Sequence, residues 1–204
     1  GKSTILELIG RLYDVQKGQI EVDGQTIQNL NLNSLRSSVG FVPQDPFLFS
    51  DSLRNNIKFG KNKASDDEVV EASKMAVVHD NITNFKNGYD TVLGERGITL
   101  SGGQKQRISI ARAFIKNPQI LLLDDCLSAV DTETEEQILN NIELVTKGKT
   151  TIIVSHRISS AKNADIIVVL NNGIITQQGS HVQLINVEGY YKELYQNQLR
   201  EISS

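Results

Sequence analysis

Gly1-Lys2-Ser3-Thr4 opens the chain with an ammonium, two hydroxyls and free backbone N–H groups at the start of an apolar-periodic segment. Such a run is the second half of a phosphate-binding loop. The lysine reaches β- and γ-phosphate oxygens, a hydroxyl ligates Mg²⁺, and the N–H groups of the helix N-terminus face the anion. Lys2 is expected in the first role and Ser3 in the second, with Thr4 close to the phosphates. In Ile120-Leu121-Leu122-Leu123-Asp124, four apolar residues bury a strand and the first polar one emerges at its carboxyl edge. Open α/β sheets bind ligands at that edge, so Asp124 is expected to hold Mg²⁺, directly or through water. Leu100-Ser101-Gly102-Gly103-Gln104-Lys105-Gln106-Arg107 places Ser101 at an N-cap with Gln104 three residues on, the spacing of a capping box. An ordinary first turn gains nothing from two glycines, whereas a close approach to a ligand does. His156 follows Ile152-Ile153-Val154-Ser155, which sets it at another strand's carboxyl edge.

These residues need elements to hold them. Apolar spacing predicts a helix over Thr4 to Tyr13, strands at Gln19 to Val22 and Val39 to Val42, and a short helix over Ser52 to Phe59. Ser65 or Asp66 caps a helix to about Met75. Short helical pieces follow to Thr91, and a longer helix runs from Ser101 to Lys116. Beyond that, the apolar runs Ile120 to Leu123, Thr150 to Val154 and Ile166 to Leu170 alternate with helices over Asp131 to Leu144 and up to Ala161. Continuous apolar strands between helices indicate a parallel sheet covered on both faces. Ser180 to Ile185 and Tyr190 to Ile202 read as two small helices, the second with an aromatic face.

Composition narrows the class further. The chain has 204 residues, 21 Lys+Arg against 24 Asp+Glu, and a formal net charge of −3. That length buries one good core. The balanced charge argues against a nucleic-acid groove working by bulk positive field. Its 1 cysteine, Cys126, excludes a disulfide framework and reads as a small buried residue. No run approaches the roughly 20 apolar residues a bilayer demands. The chain has no initiator methionine and reads as cut inside the phosphate-binding loop, with the strand feeding that loop upstream of Gly1.

Taken together, the motifs resemble those of the nucleotide-binding domain of an ATP-binding cassette (ABC) transporter, along nearly the whole chain. Gly1 to Thr4 matches the end of its Walker A loop, and Gln44 in Val42-Pro43-Gln44-Asp45 matches the Q-loop glutamine. Leu100 to Gln104 is the signature, Asp124 the Walker B aspartate, Ser128 to Asp131 the D-loop, and His156 the switch histidine. Thr91 to Gly97, and Phe47-Leu48-Phe49-Ser50 with Asn55-Asn56-Ile57, are similar to exporter segments that receive the membrane domains. The resemblance implies a P-loop NTPase fold: a RecA-like parallel core over 1–49 and 118–204, with a helical signature subdomain over about 50–117. It also implies ATP and Mg²⁺ as ligands, the latter held by Ser3, Gln44 and Asp124. Gly1, Lys2, Ser3, Thr4, Gln44, Asp124 and His156 would bind one ATP. Ser101, Gly102, Gly103, Gln104 and Asp131 would act across a head-to-tail interface on the ATP of a second cassette. Glu95 and Arg96 would face the transmembrane domains, placing the domain on the cytoplasmic face of a membrane, with no nucleic acid involved.

One position departs from the family pattern. Where the pattern has a glutamate after the Walker B aspartate, this chain has Asp125. The expectation is a slow site of its own beside an intact signature that completes the partner's site, as in one half of a heterodimeric exporter. Two rivals stand beside it: a nucleotide-binding regulatory subunit without turnover, and a non-transport ATPase of the cassette type. The second would carry coiled-coil or DNA-binding insertions, and none is visible here.

Overall fold

The computed structural model describes residues 1–94 and 99–203, and side chains up to residue 200. Glu95 and Arg96 therefore lie outside the described residues. Helix α1 (Lys2–Ile9) leads to the hairpin β1 (Glu21–Val22) and β2 (Gln25–Thr26), then α2 (Leu32–Ser38) and β3 (Val39–Val42). A helical stretch follows, α3 (Leu53–Lys58), α4 (Asp66–Met75), α5 (His79–Thr83) and α6 (Gly102–Phe114). The rest alternates: β4 (Ile120–Asp124), α7 (Thr132–Val145), β5 (Thr150–Val154), α8 (Ile158–Ala161), β6 (Ile167–Asn171), β7 (Ile174–Gly179), α9 (His181–Ile185) and α10 (Tyr190–Ser203).

The central sheet is parallel, 3-stranded and ordered β3-β4-β5. Its middle strand explains why the apolar run is unbroken. Leu121 and Leu123 face the larger core, shared with α3, α4, α6 and α7, while Leu122 packs on the other face against Leu6, Ile27, Leu35 and Val39. All three leucines are 0% exposed, so both faces are covered as the run implies. The parallel core flanked by helices, with its added helical region, is the P-loop NTPase architecture the motifs call for. Among the described residues, no helix is long and apolar enough to cross a membrane.

Two expectations need correction. The first helix stops at Ile9 rather than Tyr13, because Gly10 caps it and Arg11 turns into the left-handed region at φ 47°. Arg11 is fastened there by donating to the carbonyls of Ile27 (3.2 Å) and Leu30 (2.9 Å). The run at Ile166 to Leu170 does not join the parallel sheet. It pairs antiparallel with β7 through Asn172 and Gly173, whose φ values of 49° and 79° suit a type I′ hairpin turn. This hairpin, α8, α9 and α10 share a satellite core of Ile158, Ile167, Val169, Leu184 and Tyr191.

Candidate functional site

Parallel register gathers the chemistry at one edge. Val42 pairs with Leu123, and Asp124 with Val154, so β3, β4 and β5 end level with one another. Gln44 leaves β3, Asp125 leaves β4 and His156 leaves β5 at the carboxyl edge, where ligands bind in such sheets. Gln44 and His156 are exposed and Asp125 is half-buried. Helix α1 approaches the same edge with its N-terminus. Ser3 Oγ there donates to Asp124 Oδ1 at 3.1 Å, joining positions 121 residues apart. Asp124 is 6% exposed. A hydroxyl and a carboxylate held this close form a hard oxygen pair suited to Mg²⁺. Gly1 is the N-cap of α1 and leaves the first-turn N–H groups uncapped by side chains, with Lys2 and Thr4 in that turn.

The segment after Asp124 is shaped by an unusual backbone. Asp125 sits at φ 43°, a left-handed conformation that aspartate enters more readily than most side chains. Its N–H donates to the Val154 carbonyl at 2.8 Å, and its carbonyl accepts the Ser128 hydroxyl at 3.0 Å. Ser128 to Asp131 then cross to α7, where Asp131 is the N-cap and accepts from the Thr134 N–H at 3.0 Å. That hydrogen bond holds the Asp131 carboxyl below its ordinary range.

The Leu100 to Gln104 segment forms the capping box its spacing predicts. Ser101 Oγ accepts from the Gln104 N–H at 3.2 Å, and Gln104 Oε1 accepts from the Ser101 N–H at 3.0 Å. This turn packs directly on the loop after β4. A Cβ at Gly103 would lie 2.7 Å from the Ala129 carbonyl oxygen, against 3.5 Å from the Ala129 Cβ for one at Gly102. Gln106 completes the junction: its Nε2 donates to Ser128 Oγ at 3.3 Å, and its Oε1 accepts the Ala129 N–H at 3.1 Å.

The sequence reading assigned no role to Gln106 or to a second bracket around Arg157. Arg157 donates to the carbonyls of Ser128 (3.0 Å) and Val130 (3.2 Å), and pairs with Glu135. Glu135 is 2% exposed and also accepts from Ser159 and Ser160, each at 2.7 Å. The available signal was a polar residue on the otherwise apolar face of α6 for Gln106, and an acid one turn into α7 for Glu135.

Other expectations fall as follows. Cys126 is buried, which pushes its thiol up to about 12. His79 and His181 are half-buried and bond the Tyr89 and Tyr191 hydroxyls, away from the sheet edge. Beyond Gln44, exposed Phe47 and Phe49 border a groove of ≈ 360 Å³ that also touches Leu93, Leu100 and Lys105. A hollow of ≈ 400 Å³ between Lys74, His79, Asp80, Gln137 and Asn141 holds none of the predicted site residues.

Comparison with known proteins agrees with this geometry. Residues 1–128 match the ABC transporter family model. An ATP-binding/permease protein of Staphylococcus aureus, provisionally named for multidrug export, is 52% identical over 96% of this chain and 34% of its own length. ABC transporter B family member 4 of Dictyostelium discoideum is 47% identical over 98% of this chain and 26% of its own. The chain thus spans about a third or less of the curated relatives it matches. Among solved structures, a bacterial Atm1-family ABC exporter with ATP bound superposes with a TM-score of 0.93 at 46% identity, covering 98% of this chain and 35% of that one. The chain belongs to the ABC transporter family, in which it is a nucleotide-binding domain of exporter type.

Proposed function

We propose that this domain binds and hydrolyses ATP to drive an exporter, working as one cassette of a head-to-tail pair beneath transmembrane domains on the cytoplasmic face of a membrane. The observation that carries the reading is the Ser3–Asp124 hydrogen bond at the edge where Gln44, Asp125 and His156 also emerge. In this reading residues 1–49 and 118–204 are the nucleotide core and about 50–117 the helical subdomain.

Lys2 and the first-turn N–H groups of Gly1 to Thr4 take the phosphates by charge and by helix-terminal hydrogen bonds. Ser3, Asp124 and Gln44 hold Mg²⁺. When bound, that ion neutralises charge developing on the transferred phosphoryl oxygens. His156 hydrogen-bonds the γ-phosphate or the attacking water, and Asp125 orients that water. Ser101, Gly102, Gly103, Gln104 and Asp131 complete the ATP site of the second cassette. Phe47, Phe49 and the groove beside them, with Glu95 and Arg96, receive the transmembrane domains.

Asp125 makes this domain's own site slow. It is one methylene shorter than glutamate, roughly 1.5 Å of reach, and a base must lie about 2.6–3.2 Å from its water. An intact signature beside a shortened base fits one half of a heterodimer. Single-turnover hydrolysis decides the matter, measured with a glutamate-bearing partner and with Asp125→Glu. The reading expects the variant to be faster. A homodimer of the unaltered chain that matches the Glu variant overturns it. Nucleotide crosslinking without phosphate release from either protein would favour a regulatory subunit, a reading Asp125 also supports.

A further inference from the structure

Helix α10 buries a stripe of Tyr191, Leu194 and Tyr195 against the satellite core, and the next position on that face is Gln198. Spacings of three, four and seven residues put all four side chains on one side of the helix. Tyr191 is 3% exposed and its hydroxyl meets His181 Nδ1 at 2.8 Å, so the stripe is anchored two turns before Gln198. At Gln198 the face stops being apolar and turns to the chain leaving β5. Gln198 Nε2 donates to the His156 carbonyl at 2.9 Å, and Gln198 Oε1 accepts the Ile158 N–H at 2.8 Å. One planar amide spans the backbone on either side of Arg157.

The opposite side of the same short segment is also held. The Arg157 N–H donates to Ser155 Oγ at 2.9 Å, and the Arg157 guanidinium reaches the Ser128 and Val130 carbonyls. The His156 backbone therefore has an inner tether to the loop after β4 and an outer one to α10. Its imidazole is exposed at the sheet edge, so its aim depends on the φ and ψ that these tethers set. The outer tether is a half-buried side chain of the C-terminal helix.

We infer that Gln198 is a positioning residue for His156, through which the C-terminal helix sets the orientation of the imidazole toward the γ-phosphate. The inference rests on the role proposed above for His156. Both halves of the amide are needed: a carboxylate at 198 would keep the acceptor for Ile158 but face the His156 carbonyl with a second acceptor. Misaiming a catalytic group by a fraction of an ångström leaves nucleotide binding intact and slows chemistry, so kcat falls and KM holds.

The test uses the full-length protein that carries this domain, with the catalytic carboxylate of any partner cassette neutralised so that only this site is read. Gln198→Ala is expected to lower kcat about tenfold with KM for ATP within about twofold. Gln198→Glu should fall at least as far. Thermal melting of both variants, half-buried and at a helix surface, reports folding independently. In a His156→Ala background the Gln198→Ala change should add no further loss. Normal turnover in Gln198→Ala beside a crippled His156→Ala overturns the positioning role and spares the His156 reading. Normal turnover in His156→Ala overturns both. A full additional loss in the double variant shows that Gln198 acts elsewhere and also overturns the inference.

Discussion

Gly103 lies under the Ala129 carbonyl so closely that a Cβ added to it would sit 2.7 Å from the oxygen. A helix normally gains up to about 1 kcal/mol when an interior glycine becomes alanine. At Gly103 that gain is outweighed by the overlap, since a carbonyl on a short, doubly bracketed loop has little room to give. Gly103→Ala is expected to destabilise the domain by about 1–2 kcal/mol and to displace the loop from Ser128 to Asp131. Gly102→Ala, with its Cβ in ordinary contact 3.5 Å from Ala129, should melt at or slightly above the parent temperature. Melting curves of the pair separate crowding from any loss of nucleotide contact.

Glu135 offers a sharper stability test. It is 2% exposed and serves Arg157, Ser159 and Ser160 together. Breaking a fully buried ion pair costs about 3–5 kcal/mol. The Arg157 side chain is 36% exposed and can recover water, which argues for the lower part of that scale. Glu135→Ala should therefore cost about 3 kcal/mol in denaturant unfolding. Glu135→Gln should cost less, because its amide oxygen still accepts from a serine. Equal stabilities for all three proteins would contradict the bracket's importance.

The Ser3–Asp124 contact predicts which step fails when it is removed. Asp124→Asn keeps the shape and discards the charge, so Mg²⁺-dependent hydrolysis should drop at least about a hundredfold. Nucleotide binding measured in EDTA should change little, because Lys2 and the N–H groups of α1 remain. Ser3→Ala should follow the same pattern more mildly, removing a neutral hydroxyl only. Calorimetric titration of nucleotide with and without Mg²⁺ provides the comparison.

Cys126 is expected to be silent. Burial favours the neutral thiol and lifts it to about 12, so the reactive thiolate is scarce at pH 8. The native protein should resist N-ethylmaleimide at that pH and react fully once unfolded. Rapid labelling of the folded state would mean the loop after β4 opens far more often than its hydrogen bonds imply.

Where the candidate residues lie was largely readable from the chain, because they sit where strands end. The run Ile120 to Leu123 had to be buried, so Asp124 had to emerge at the edge, and the capping-box spacing from Ser101 to Gln104 formed as written. The run Ile166 to Leu170 misled for a definable reason. Apolar residues show that a strand is covered without showing what pairs with it, and the nearby Asn172-Gly173 turn was the stronger evidence. Gln106, Arg157 and Gln198 stayed hidden because much of their bonding is to backbone groups. Every residue offers the same carbonyl and N–H, so no side-chain pattern in the sequence announces the partner.

Arg112 has a mechanical consequence. Its guanidinium sits over the paired rings of Phe49 and Phe59, 5.6 Å from each centroid, and donates to the carbonyls of Asn56 (2.8 Å) and Phe47 (2.9 Å). The aromatic loop beyond Gln44 is therefore riveted to the last turn of α6, not to the strand it leaves. The loop at Phe47 and the glycines Gly102 and Gly103 thus sit at opposite ends of one helix.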